Sequence, residues 1–354
     1  MRNRCKSFPT LALCAAAAAV VMNDALAQRQ PPTPQIAPIT EHLYRASNGF
    51  WHGIFLVTNA GIVLVDPLNP RFATWLKGEL AQRFPGIAVR YVIYSHSHWD
   101  HVEGGSVFAD TATFIAHQNM RRNMDGRYPH MPGDMIDRNG NGQFEPEEFT
   151  APGDAAPGVC GGRFPTHHDA DHNGHLTPAE YFTDIVPPDI VYSDRLELVL
   201  GGQTVELRFL GRNHADDTTA VVFPGERVVF SADFPADALV TDSLQSLPSA
   251  CGPFDGHPID EWIASYRLLE SFDFDTFAGG HGRLFAKNEI AAPRQFFEDL
   301  KAAVSAAIAH GQTLAQMKQS IRLEQYRDWA QYERLREMNI EAAYRNLTAA
   351  HPTP

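Results

Sequence analysis

Six consecutive residues, His96-Ser97-His98-Trp99-Asp100-His101, contain four side chains able to ligate a metal ion. They directly follow residues 89–94, a short apolar, β-branched run of the kind that forms a buried strand. In a loop leaving a strand, alternate residues aim at one point. His96 and His98 can therefore share one ion while Asp100 and His101 reach a second. Packing alone does not account for the cluster, because burying three imidazoles and a carboxylate together costs several kcal/mol unless something satisfies them.

The elements needed to position this loop are readable around it. Residues 42–46, 54–58 and 62–66 read as strands, the last two joined by the turn signal Asn59-Ala60-Gly61. Residues 70–83 have helical periodicity, with Phe72, Trp75, Leu76 and Leu80 on one side, and with 89–94 they complete a strand, helix, strand unit. Residues 134–188, rich in Gly, Pro, Asp, Asn and His, read as an insertion. Beyond it, 196–200, 204–210, 219–223 and 228–231 read as four more strands, with turns at Gly201-Gly202 and Pro224-Gly225. Residues 259–347 read as mostly helical, most clearly over 302–309 and 323–347. The expectation is an α/β layered architecture. Residues 39–354 form one domain carrying the insertion, preceded by a Pro-rich, flexible leader at 28–38.

A chain of 354 residues with 44% apolar side chains can bury a substantial core, which excludes a disordered class. Arg2, Arg4 and Lys6, an apolar run at 11–22 and Ala25-Leu26-Ala27 have the form of an export signal cleaved near Ala27, implying a periplasmic or secreted protein. The apolar run is too short to span a membrane. Cys14 follows the bulky Leu13, where lipid-attachment sites take a small residue. Cleavage removes three basic groups and Asp24, taking the formal charge from −13 to −15, so nucleic acid is excluded as a partner and a small-molecule substrate is expected. Cys160 and Cys251 remain, either as one disulfide or as two buried thiols.

The pattern HxHxDH after a strand resembles the metallo-β-lactamase superfamily, and the resemblance extends over most of the mature chain. It implies an αβ/βα sandwich, two mixed β-sheets flanked by helices. The family's later ligands have matches in the same order: His214 in Gly211-Arg212-Asn213-His214, Asp233 in Phe230-Ser231-Ala232-Asp233, and His281 in Gly279-Gly280-His281-Gly282. The resemblance implies His96, His98 and His214 on one zinc, Asp100, His101 and His281 on the other, and Asp233 bridging both. Asp66, in Leu64-Val65-Asp66-Pro67, matches the family's supporting aspartate, which holds a loop or a ligand imidazole in orientation.

Two Zn2+ ions roughly 3.5–4 Å apart lower the pKa of a bridging water towards 7, so the implied activity is hydrolysis by a metal-bridging hydroxide, with Asp100 orienting it or relaying a proton. Ser231 and Asp233 occupy the region where one subgroup of true β-lactamases has a Cys ligand, and Ala236 stands where quorum-quenching lactonases have a Tyr. No glutathione-binding signature of the glyoxalase II type is present. The lactonase reading stays open, and what the resemblance implies is a generic hydrolase of an ester, lactone or lactam. Two alternatives stay open. One is a mononuclear iron oxygenase on the same fold, resembling the persulfide dioxygenases and holding one Fe2+. The other is a calcium-dependent binding protein with an inactive metal centre.

The insertion carries a second constellation. Residues 137–148 have the form of an EF-hand loop, with Asp137, Asn139 and Asn141 at positions 1, 3 and 5, Gly142 at 6, Gln143 at 7, Phe144 at 8 and Glu148 at 12. Residues 169–180 repeat it with Asp169, Asp171, Asn173, Gly174, His175, Leu176 and Glu180. Up to two Ca2+ ions are expected, bound more tightly by the second loop, which has three anionic ligands. Phe144 and Leu176 are expected to pair in a small β contact. Proline around both loops favours compact structural sites over an opening sensor. His167, His168, His172 and His175 read as exposed loop histidines rather than a further transition-metal site.

Overall fold

The computed structural model describes residues 33–124, 139, 141–146, 168–234, 245–248 and 257–348. The export signal, Asp137, Glu148, Cys160, Cys251, His167 and Ala236 lie outside the described residues.

Among the described residues, thirteen strands form two sheets. In the first, β1 (Gln35–Pro38), β2 (Leu43–Asn48), β3 (Trp51–Thr58), β4 (Gly61–Val65), β5 (Val89–Ile93), β6 (Thr113–His117) and β7 (Ile190–Tyr192) lie side by side in chain order. The strands are antiparallel up to β4 and parallel from β4 to β7. The second sheet runs β13 (Leu284–Ala286), β12 (Thr276–Gly279), β11 (Val228–Ser231), β10 (Thr219–Phe223), β9 (Gln203–Phe209), β8 (Arg195–Leu200), with β11 and β12 parallel. The helices are α1 (Pro70–Arg83), α2 (Trp99–Val102), α3 (Gln118–Met124), α4 (Pro178–Tyr181), α5 (Ile259–Ser271), α6 (Ala291–Ala309), α7 (Leu314–Ser320) and α8 (Tyr332–Thr348).

Side-chain alternation explains the layering. In β3, Ile54 and Leu56 face the second sheet while Phe55 faces the helical side, and in β4 Val63 and Val65 oppose Ile62 and Leu64 in the same way. Val221 and Phe223 of β10 meet the first sheet, while Ala220 and Val222 turn towards α5 and α6. Both faces are covered, so these strands read in sequence as continuous apolar runs. The result is helix, sheet, sheet, helix. On the outer side of the first sheet α1 is started by Asn69, whose side chain accepts from Phe72 N at 3.0 Å, and by Pro70, whose missing N–H costs nothing in a first turn. It buries Phe72, Ala73, Leu76 and Leu80, with Trp75 half-buried beside them.

The fold differs from the sequence expectation at several points. It begins before Ile39, because Gln35–Pro38 of the expected flexible leader pairs with β2 as an edge strand. An edge position tolerates Pro38, since a missing N–H on the outer side breaks no ladder bond. The region read as mostly helical contains β12 and β13, two strands of four and three residues too short to show alternation. The helix read over 323–347 starts only at Tyr332, since Leu323 and Gln331 have left-handed backbones, at φ of 50° and 66°.

Candidate metal centre

The strand ends converge at one edge of the sandwich. His96 and His98 leave the C-terminal end of β5, Asp100 and His101 lie on α2, His214 follows β9, Asp233 follows β11, and His281 lies between β12 and β13. The C-terminal ends of parallel strands are where open α/β sheets assemble their sites, because the connecting loops gather there. Backbone bonds stitch the two sheets together at this edge. His52 N donates to Gly280 O at 2.8 Å, Thr219 N donates to Ser95 O at 2.8 Å, and Trp51 and His281 form an antiparallel bridge.

The seven side chains fall into two groups sharing Asp233: His96, His98, His214 and Asp233, and Asp100, His101, His281 and Asp233. Within each group the ligand-type atoms all lie within 4.8 Å of one another. Asp233 presents a different oxygen to each side. Its Oδ2 is 3.1 Å from His214 Nε2 and 3.6 Å from His96 Nε2, and its Oδ1 is 2.9 Å from His281 Nε2 and 3.2 Å from His101 Nε2. His214 Nε2 lies 3.0 Å from His98 Nδ1, and His101 Nε2 lies 3.4 Å from Asp100 Oδ2.

Burial makes the centre electrostatically demanding. Burial holds the His96 and His98 rings below the usual imidazole range, that of His98 well below it, and neighbouring imidazoles add to the effect. Burial also disfavours a charged His101, yet the Asp100 and Asp233 carboxylates outweigh it and hold that ring well above its usual value. Burial opposes ionisation of Asp233 too, but His101 and His281 keep it ionised. His96 Nε2, His101 Nε2, His281 Nε2 and Asp233 Oδ1 are buried without a hydrogen-bond partner of adequate geometry. Orphaned buried nitrogens and oxygens of this kind are rare unless something else satisfies them. A pair of divalent cations fits this donor set: imidazole nitrogen and carboxylate oxygen, arranged around a shared carboxylate.

The supporting groups are equally specific. Asp66 is fully buried and accepts from Ser95 N at 2.8 Å and from Ser95 Oγ at 2.7 Å, while its Oδ2 lies 3.4 Å from His101 Nδ1. Asn213 accepts from His214 N at 2.6 Å and donates to Ser265 Oγ of α5 at 3.0 Å. Sequence reasoning missed Trp51, whose Nε1 donates to Asp100 Oδ2 at 3.0 Å from a distant hairpin. It also missed Asp217, behind Ser97, whose carboxyl is pushed up to about 8 by burial and by the adjacent Asp216. Neither residue lies in a motif, and no signal in the sequence marks them.

In the insertion, Phe144 and Leu176 pair as expected. Phe144 N donates to Leu176 O at 2.8 Å, Leu176 N donates to Phe144 O at 2.9 Å, and both side chains are fully buried in the core beneath α1. Gly142 and Gly174, at position 6 of each loop, have φ of 78° and 83°, conformations that demand glycine. Asp169, Asp171 and Glu180 form a third convergent group of ligand-type oxygens, again within 4.8 Å. Asn173 N donates to Asp169 Oδ1 at 3.1 Å, and His175 N donates to the Asn173 side chain at 2.7 Å. In the first loop, the side-chain nitrogens of Asn139 and Asn141 donate to Glu145, at 3.2 and 2.6 Å, and Gln143 N donates to the Asn141 side chain. His172 is exposed and His175 partly so, but His168 is buried, with Nε2 3.0 Å from Glu103 Oε1, which corrects its reading as an exposed loop residue. His168 is buried because its ring packs against Tyr181, with ring centroids 5.3 Å apart.

Comparison with known proteins places the fold. The sequence model of the metallo-beta-lactamase superfamily matches residues 53–281. A curated relative, the 2,4-dinitroanisole O-demethylase subunit alpha of Nocardioides sp. (strain JS1661), is 22% identical over 79% of this chain and 67% of its own length. Among solved structures, the stereoselective inverting sec-alkylsulfatase of Pseudomonas sp. superposes with a TM-score of 0.59 at 16% identity, covering 91% of this chain but 52% of its own. The chain therefore spans about half of that protein. A metallo-beta-lactamase from Pontibacter korlensis superposes with a TM-score of 0.50 at 14% identity, over 75% of this chain and 99% of its own.

Proposed function

Since the chain belongs to the metallo-beta-lactamase superfamily, we propose that it is a dinuclear zinc-dependent hydrolase acting on a small molecule of the ester, lactone or lactam type. The observation that carries this reading is the division of labour at Asp233, with one oxygen facing three imidazoles and the other facing His101 and His281. His96, His98 and His214 would hold one cation, Asp100, His101 and His281 the other, and Asp233 both. When bound there, two such cations would supply a hydroxide at neutral pH and polarisation of the scissile bond.

The chain's own residues supply orientation and proton transfer. Asp100 is the carboxylate of the centre that faces solvent, with 21% of its side chain exposed against 7% for Asp233. Its Oδ2 is fixed by Trp51 Nε1, so the same group that helps hold the centre takes up or returns a proton at the substrate side. Asp66 and Asn213 fix the backbone on either side, which keeps the ligand set arranged before substrate arrives. A complete second group of ligands supports two cations over the single iron of an oxygenase.

The test is a hydrolysis screen with zinc over β-lactams, acyl-homoserine lactones, phosphoesters and simple esters. Secondary alkyl sulfates and nitroaryl methyl ethers join it because proteins named for such chemistry are similar in fold or sequence. Asp100→Asn is expected to remove activity, and turnover surviving that substitution would refute the assignment. One iron per chain with oxygen consumption would instead establish the oxygenase.

We further infer that residues 137–148 and 169–180 are calcium loops. Two repeats of the same positional pattern, the Phe144–Leu176 pairing and the convergent oxygens of Asp169, Asp171 and Glu180 support this. The export reading of residues 1–27 predicts a secreted form beginning at Gln28, which its intact mass would reveal. No helix among the described residues is long and apolar enough to cross a membrane.

A further inference from the structure

The second calcium loop ends against the metal-ligating segment on both sides. Asp169 and Glu180 occupy its first and last ligand positions, and the residues immediately outside them are His168 and Tyr181. His168 Nε2 lies 3.0 Å from Glu103 Oε1, and the Tyr181 hydroxyl accepts from Trp99 N at 2.9 Å. Trp99 and Glu103 bracket Asp100 and His101. Three of the four flanking groups are buried, Tyr181 at 1% exposed, His168 at 7% and Glu103 at 9%, while Trp99 is partly buried and packs against His168 with centroids 6.4 Å apart.

We propose that Tyr181 and His168 are positioning residues that couple the 169–180 loop to the half of the metal centre formed by Asp100, His101 and His281. The loop has leverage on that half of the centre over a short, rigid path. Tyr181 directly follows Glu180 on α4, whose first turn is closed by a reciprocal Thr177–Glu180 capping box, so the hydroxyl has little freedom independent of the Glu180 carboxylate. A cation drawing Asp169, Asp171 and Glu180 together fixes the spacing of residues 168 and 181. That spacing in turn fixes the backbone N–H of Trp99 and the carboxylate of Glu103. Asp100 and His101 then stand ready for a metal ion. Without the cation, ordering that segment is a cost charged to metal binding there, and the two binding events become thermodynamically linked.

This inference rests on the calcium reading and is separable from it. Metal-depleted full-length protein is titrated with Co2+, whose visible absorption reports imidazole ligation, with and without Ca2+. Calcium uptake is followed separately by calorimetry. Calcium is expected to tighten cobalt binding at the weaker of the two positions by at least about fivefold, with cobalt tightening calcium by the same factor. In Tyr181→Phe and in His168→Gln, calcium should still bind while the coupling factor falls towards one. Glu180→Gln, which leaves both contacts intact, should shift the calcium dependence to higher concentration. Calcium uptake by the natural protein without change in the cobalt curve overturns the coupling alone, as does full coupling in both Tyr181→Phe and His168→Gln. No calcium uptake at all overturns the calcium reading and the coupling with it.

Discussion

A buried carboxylate that receives two hydrogen bonds from one serine and faces the His101 imidazole is a costly group to place, and Asp66 is also held in the left-handed region, at φ of 56°. Such a conformation persists only where its surroundings over-determine it, here through Ser95 at the end of β5 and His101 on α2. Asp66→Asn keeps the shape but turns one acceptor into a donor facing the Ser95 donors and His101. The expected result is metal binding weaker on the order of 10–100-fold with secondary structure intact, read by titrating metal-depleted protein and by circular dichroism. Unchanged affinity would show that His101 is oriented by its metal alone.

At the scale of elements, the turn between β12 and β13 brings His281 to the cluster, and it works because Gly280 has no side chain. A Cβ there would lie 2.7 Å from His101 Cε1 and 2.9 Å from Ala232 Cα, too close for either. Gly280→Ala should push the His101 ring off its position, lowering stability by about 1–3 kcal/mol as overpacking does and reducing bound zinc from two ions towards one, measured by elemental analysis. Two tightly held ions in that variant would mean that the turn yields more than its contacts suggest. This turn also marks how far the sequence could be read. HxHxDH was legible because its four ligands share one loop, and β10 and β11 because their apolar runs are bounded by turn residues. β12 and β13 were hidden by their brevity inside a helical region, and β6 and β7 went unnoticed on either side of the insertion. Trp51 was illegible for another reason. Its contact with Asp100 exists only once β3 lies across the centre, and no local pattern records a meeting of residues 49 positions apart in the chain.

For the whole molecule, the insertion is part of the scaffold rather than an appendage, since Phe144 and Leu176 are buried in the same cluster as Phe72, Leu76 and Tyr94 beneath the first sheet. If the loops that present these two side chains bind calcium as proposed, that layer as a whole would be stabilised, since a ligand that binds only the folded state adds about 2.7 kcal/mol at one hundred times its dissociation constant. In domains of somewhat smaller size one kcal/mol moves the melting temperature by about 2–4 °C, so removing calcium should lower melting by several degrees. The comparison belongs in a solution buffered with saturating zinc, where the histidine centre stays filled even if its affinity changes. Melting is then followed with and without added calcium, and zinc content is determined in both samples. A fall in melting temperature at constant zinc would separate the proposed brace from the histidine centre. Identical melting in the two solutions would mean that the loops hold their shape through Phe144, Leu176 and the capping box of α4 alone, with no cation needed.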